Sequence, residues 1–313
     1  MPAPPPTFRP ALLAPRHWPA WFGLALIRIA NLLPLRAMFA LGRAIGHLAP
    51  LALPVRRRIV ARNLELCFPE LDAAARARIA ESTLHDTGLM LAEFALAWMG
   101  SRARLARLRV RFDDWDNLAA AHADGRGVLL FGGHFSHLEL CARLVAERVP
   151  LAGMYREHDD AAFEWAIRRA RLRYASAMFR RDEIRASVRH LRNGGLLWYA
   201  PDQDMRGKDI VFAPFFGVPA ATITATHHLA RMSGARVVPF FHRREPDGSY
   251  VIRIGKPLEG FPGPDPAADT ARVNACIEAM VREAPAQYLW LHKRFKTRPP
   301  GQPSVYDAMP ADA

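Results

Sequence analysis

The residues best placed to do chemistry lie in one short run, Leu129-Leu-Phe-Gly-Gly-His-Phe-Ser-His-Leu-Glu139. Val128-Leu-Leu-Phe131 reads as a buried strand, Gly132-Gly133 as a sharp turn, and residues 136–149 as the helix that follows. His134 then emerges at the carboxyl end of a strand, the edge at which open α/β sheets bind ligands. Glu139, five residues on, can reach back to one imidazole nitrogen and fix the tautomer, leaving the other as a base. The same letters carry two plainer readings. Ser136-His-Leu-Glu139 has the spacing of a capping box, so Glu139 could serve only the helix. His134, His137 and Glu139, joined by Asp202, could instead bind a metal and make a hydrolase.

The elements that must position these groups follow from the pattern along the chain. Residues 1–18 are a loose, Pro-rich lead-in. Residues 19–50 form an N-terminal membrane-interacting helical segment, and residues 51–108 a helical region packed on the catalytic domain. In 19–50 no clean window of about 20 apolar residues is available to span a bilayer. Arg28, Arg36, Arg43 and His47 instead gather on one side, with Trp18, Trp21, Phe22, Leu24, Leu26 and Leu33 on the other. That division suits an interfacial anchor, and an amphipathic helix packed on the protein's own core is the alternative. From residue 109 to 306 strands alternate with helices: strands at 128–131, 151–155, 196–199, 236–242 and 250–254, helices at 136–149, 160–178, 184–191, 222–232 and 267–283, and a Pro/Gly/Asp-rich loop at 200–220. The expectation is an α/β fold, a mostly parallel central sheet flanked by helices. Residues 307–313 are a tail.

Composition narrows the function classes. The 313 residues carry 43 Lys and Arg against 30 Asp and Glu, a net charge of +13, which favours polyanionic partners. No nucleic-acid module is readable, so nucleic acid is not an expected partner, although a non-enzymatic basic binder stays open. Cys67, Cys141 and Cys276 have neither disulfide nor zinc spacing and read as buried small hydrophobes. No Gly-x-Ser-x-Gly elbow is present.

The His134-x4-Glu139 run resembles the signature of glycerolipid-type acyltransferases. More narrowly, the chain resembles the lipid A biosynthesis lauroyl/myristoyl acyltransferases, late enzymes of Gram-negative lipopolysaccharide assembly. Asn63-Leu-Glu-Leu-Cys-Phe-Pro69, Met154-Tyr-Arg156, Trp198-Tyr-Ala-Pro-Asp-Gln-Asp204, Leu229-Ala-Arg-Met-Ser-Gly234 and Gln287-Tyr-Leu-Trp-Leu-His-Lys-Arg-Phe-Lys-Thr-Arg-Pro299 carry the likeness over nearly the whole chain. It departs from the pattern at Asp204-Met205-Arg206. The resemblance implies a glycerolipid acyltransferase-like fold. It implies transfer of a fatty acyl group from acyl carrier protein to a hydroxyl on an acyl chain of a phosphorylated lipid A precursor, at the cytoplasmic face of the inner membrane. His134 and Glu139 would form the base, Arg171 would stabilise an oxyanion or phosphate with Arg173 as rival, and Asp202 would be functionally important. Arg156, Arg173, Lys293, Arg294, Lys296 and Arg298 would meet the phosphates or the acidic carrier protein. A thiolate leaves readily, so neither metal nor redox cofactor is expected.

Overall fold

The computed structural model describes residues 6–307, so the first five residues of the lead-in and residues 308–313 of the tail lie outside it. The helices α1 (Trp18–Ala30), α2 (Leu35–Ala52), α3 (Pro54–Cys67), α4 (Ala73–Met99) and the short α5 (Arg102–Leu105) come first. Then follow β1 (Val110–Asp113), α6 (Asp116–His122), β2 (Val128–Phe131), α7 (Leu138–Ala146), β3 (Leu151–Tyr155), α8 (Ala161–Arg171) and β4 (Ala177–Arg180). The chain continues through α9 (Ile184–Arg192), β5 (Leu196–Tyr199), β6 (Ile210–Phe215), β7 (Val218–Ile223), α10 (Ala225–Ser233), β8 (Arg236–Arg244), β9 (Tyr250–Ile254) and α11 (Pro266–Glu283).

Seven strands form the central sheet in the order β1-β9-β8-β2-β5-β3-β4, and β6 and β7 make a separate hairpin. Every pairing in the central sheet is parallel except β8 with β9. The mostly parallel sheet flanked by helices is therefore the observed fold. Both faces are covered, which is why β2 and β5 are buried at every position instead of alternating. One core holds Leu129, Phe131, Leu197, Tyr199 and Ile277; the other, across the sheet, holds Val128, Leu130, Trp198, Leu140 and Ile167.

Several boundaries differ from the sequence reading, three of them in the segments around the site. Residues 160–178 are a helix ending at Arg171 and then strand β4, because the basic run is followed by Ala-Met-Phe with no helical stripe to bury. The loop expected at 200–220 contains the β6–β7 hairpin, whose turn is made at Phe216-Gly217, both at positive φ. The lead-in is not loose from residue 6 onward: Phe8 packs edge-on against Trp165, and His17 Nδ1 lies 2.7 Å from Asp160 Oδ2.

The N-terminal helices separate into core-facing and outward residues. Gly42 and Gly46 of α2 cross Gly88 of α4 so closely that a Cβ on Gly88 would sit 2.1 Å from the Gly42 carbonyl oxygen. Leu24 is buried and Trp21 and Leu33 are half-buried, so they pack inward with the protein instead of joining the outer face. Trp18, Phe22, Leu26 and Ile29 on α1, and Leu41, Ile45, Leu48 and Leu51 on α2, remain exposed at helical spacing. Among the described residues no single helix is long and apolar enough to cross a membrane; α2 and α3 together are, but they bend by 88° at their junction.

Candidate active site

The site is built on the carboxyl ends of β2, β3 and β5. Gly132 is required by close approach and not by its dihedrals: a Cβ there would lie 2.4 Å from the Phe240 carbonyl oxygen on β8. The next residues are pinned by the chain after α11. Leu289 N–H donates to the His134 carbonyl at 2.8 Å, and Ser136 N–H to the Gln287 carbonyl at 2.9 Å. That segment is held in turn by Asn63 of α3, whose Nδ2 donates to the carbonyls of Trp290 and His292, both at 2.8 Å. Two family-like motifs, remote in sequence, thus serve to set the backbone under His134.

Asp202, just past β5 and almost wholly buried, grips His134 twice. Its Oδ1 lies 2.6 Å from His134 Nδ1, and its Oδ2 accepts the His134 backbone N–H at 2.8 Å. A carboxylate on Nδ1 places the proton there and leaves Nε2 with its lone pair. Burial alone would pull the His134 pKa down, but the charge and hydrogen bond of Asp202 outweigh it and hold the imidazole above its ordinary value. Burial likewise works against the Asp202 charge, yet His134 and the Tyr288 hydroxyl bring that carboxyl down to about 2. The His134 side chain keeps 27% of its surface exposed, so the imidazole is reachable.

The expected His134–Glu139 pair is therefore corrected. Glu139 turns towards α4 and α8, where Arg171 and Trp98 satisfy both of its oxygens. Trp98 Nε1 donates to Oε2 at 2.8 Å, Arg171 Nε donates to the same oxygen at 3.1 Å, and Arg171 Nη2 donates to Oε1. The capping box does not form either: α7 begins at Leu138 with His137 at its N-cap, so Ser136 sits one residue too early. Arg171 is the last residue of α8, where a cation also suits the helix dipole. Burial opposes its charge, and Glu139 more than restores it.

A cavity of about 270 Å³ opens beside this group. His134, Glu139, Arg156 and Arg171 border its mouth, and Phe94, Leu138, Ala142, Leu151 and Met178 line its interior. A mostly apolar cavity bordered by an imidazole and a paired arginine can hold a hydrocarbon chain with its carbonyl at the polar end.

Other expected residues lie elsewhere. Arg173 donates to the Trp98 carbonyl from an exposed position. Arg294 is corrected from substrate contact to structure: it is 2% exposed and donates to the Ala221 carbonyl at 2.8 Å and to Thr222 Oγ1 at 2.6 Å. Arg298 donates to the Pro219 carbonyl and Gln302, and the Lys293 ammonium sits 5.3 Å from the Tyr306 ring centre. Lys296 is exposed, and none of these four tail cations borders the 270 Å³ cavity, although Arg294 lines a small buried gap behind His134 and Asp202. The tail packs against β7, so Arg294 and Arg298 are spent on carbonyls of that strand. The four-residue metal set is not assembled. Among the described residues, those within mutual reach of one ion are His137, Cys141 and His242, all buried, because His137 faces β8 instead of Asp202. Trp98 and Tyr288 went unnoticed in the sequence, since nothing local to either marks a partner 41 or 86 residues away.

A family model described as bacterial lipid A biosynthesis acyltransferase matches residues 5–297. The chain is 40% identical to a lipid A biosynthesis lauroyltransferase of Escherichia coli K12, the alignment covering 96% of this chain and 99% of the relative. It is 38% identical to a lipid A biosynthesis palmitoleoyltransferase of the same organism, over 96% and 98% of the two chains. A myristoyltransferase of that organism is 29% identical over 96% and 94%. Among solved structures, a 1-acyl-sn-glycerophosphate acyltransferase from Thermotoga maritima aligns with a TM-score of 0.37 and 12% identity, covering 76% of this chain and 98% of that one.

Proposed function

The chain belongs to the bacterial lipid A biosynthesis acyltransferase family and is an O-acyltransferase acting on a lipid A precursor, and from that premise we propose how its site works and on what. A lauroyl or myristoyl group moves from an acyl carrier protein thioester to the 3-hydroxyl of an acyl chain on the phosphorylated precursor. The observation that carries this reading is His134, held by Asp202, at the mouth of an apolar cavity beside Arg171.

His134 Nε2 removes the hydroxyl proton as the oxygen attacks the thioester carbonyl, and Asp202 compensates the imidazolium that forms. General-base assistance of this kind contributes roughly 10²–10⁴-fold. Glu139 uses N–H groups on Nε and Nη2 of Arg171, which leaves those on Nη1 for the oxyanion. Collapse of the tetrahedral intermediate breaks the C–S bond, and the imidazolium returns its proton to the departing sulfur. Each step is completed by residues of the chain, so the chemistry calls for no metal or redox cofactor.

The exposed apolar stripes of α1 and α2 suit burial in the cytoplasmic leaflet of the inner membrane. The net charge of +13 also favours an acidic carrier protein. The test is transfer of radiolabelled lauroyl from its carrier to a tetra-acylated, phosphorylated precursor in detergent with EDTA, wild type beside His134→Ala. Label on the lipid only with wild type is expected. Equal labelling by the variant, or loss of wild-type transfer on adding EDTA, would overturn the mechanism.

A further inference from the structure

A second cavity, of about 360 Å³, also reaches His134. Its interior is made by Ile184, Tyr199, Met205, Ile223 and Ala225, none of which borders the first cavity. His134, Met154, Tyr155, Arg156 and Trp198 border both. Their interiors lie mainly toward opposite faces of the sheet, because successive strand residues point to opposite sides, although Phe135 and Ala152 of the first belong to the second's core. On β5, Trp198 belongs to the core under α7 and α8, and Tyr199 to the core under α9 and α10. Phe94, Leu138 and Leu151 of the first cavity pack with the former, and Ile184, Ile223 and Ala225 of the second with the latter.

We infer that the second cavity is the binding site for the hydroxyacyl chain of the acceptor, while the first takes the acyl chain of the donor. The assignment rests on the reaction proposed above, whose product carries two hydrocarbon chains diverging from one ester. Two apolar cavities converging on one base from opposite faces provide that branch. The order of occupancy follows from charge. Arg171, the arginine that the first cavity does not share with the second, is already neutralised by Glu139, which suits an uncharged acyl group. The mouth of the second carries Arg181, exposed and without an acidic partner among the described residues, whereas Arg156 borders both cavities and is paired with Asp159. Asp182 at the same mouth lies 3.6 Å from Arg180. A phosphorylated headgroup is therefore favoured on that side.

The experiment fills each cavity separately. Ala225→Phe, in the first turn of α10, should raise the KM for an acceptor with a long hydroxyacyl chain by about tenfold or more, as burial of two or more methylenes is lost. Donor KM and donor chain preference should not move. Acceptors with a shorter hydroxyacyl chain should recover most of the loss, which a general folding defect would not allow. Ala142→Phe should do the converse, shifting the donor preference to shorter chains at unchanged acceptor KM. Ile184→Trp, from a different helix, repeats the Ala225 test should that variant fail to fold. Acceptor KM unchanged in folded Ala225→Phe and Ile184→Trp proteins, or a shift in donor preference instead, would overturn the assignment. A wild-type protein that acylates no hydroxyacylated acceptor would bring down the proposed reaction itself, and the assignment with it.

Discussion

Asp202→Asn separates the two carboxylates that the site contains. The substitution keeps size and a hydrogen-bond acceptor but removes the charge facing the imidazole, whose Nδ1 lies 2.6 Å from Oδ1. With charge centres about 4 Å apart and an effective dielectric near 20, the pair is worth about 4 kcal/mol to the imidazolium. At about 1.4 kcal/mol per decade, turnover should fall roughly 10³-fold. The pH profile should move as well. A general base works when neutral, so wild-type transfer is lost as the pH falls through the raised His134 pKa. Without Asp202, burial dominates and the pKa drops, so the acid limb should shift to lower pH beneath a much lower plateau. The assay is steady-state lauroyl transfer across the neutral range, with acceptor KM measured at each pH. A variant that keeps more than about a tenth of the wild-type plateau with its acid limb unmoved would refute the pairing as the source of basicity.

Three further outcomes follow from the geometry. Glu139→Gln should lower turnover by leaving Arg171 half-paired, yet leave the acid limb nearly in place because Asp202 holds His134; a limb displaced as far as in Asp202→Asn would contradict this, measured by the same pH series. Arg294→Met should lower stability by roughly 2–4 kcal/mol in denaturant melts, stripping the Ala221 carbonyl and Thr222 of their buried donor, without raising acceptor KM in the folded fraction. A rise in KM at unchanged stability would return Arg294 to the substrate. Phe22→Glu with Ile29→Glu and Leu48→Glu should move the protein out of the floating fraction with anionic vesicles, and undiminished flotation would remove these stripes from membrane contact.

Local signals were enough to read the layers and the position of His134. A buried apolar run, two glycines, a histidine and a helix can hardly be arranged otherwise than with His134 at a sheet edge, and the strand–helix alternation made the sheet mostly parallel. The same letters misled where side chains choose partners across the fold. Glu139 stands five residues from His134, but a helix rotates each residue by about 100°, and the start of α7 at Leu138 turned this one to Trp98 and Arg171. The tail cations had the composition of a phosphate clamp, and only the packing of β7 against that tail showed Arg294 to be a buried strut.

The sequence by itself determined the fold class, the family, and the place of His134 at a sheet edge, because each is written in periodicity or in motifs of contiguous residues. Which carboxylate serves the histidine, which arginines are spent on structure, and how two cavities converge from opposite faces were decided by tertiary structure alone. Those contacts join residues 32 to 73 apart, and no local propensity encodes which of several similar charges will meet when the sheet closes.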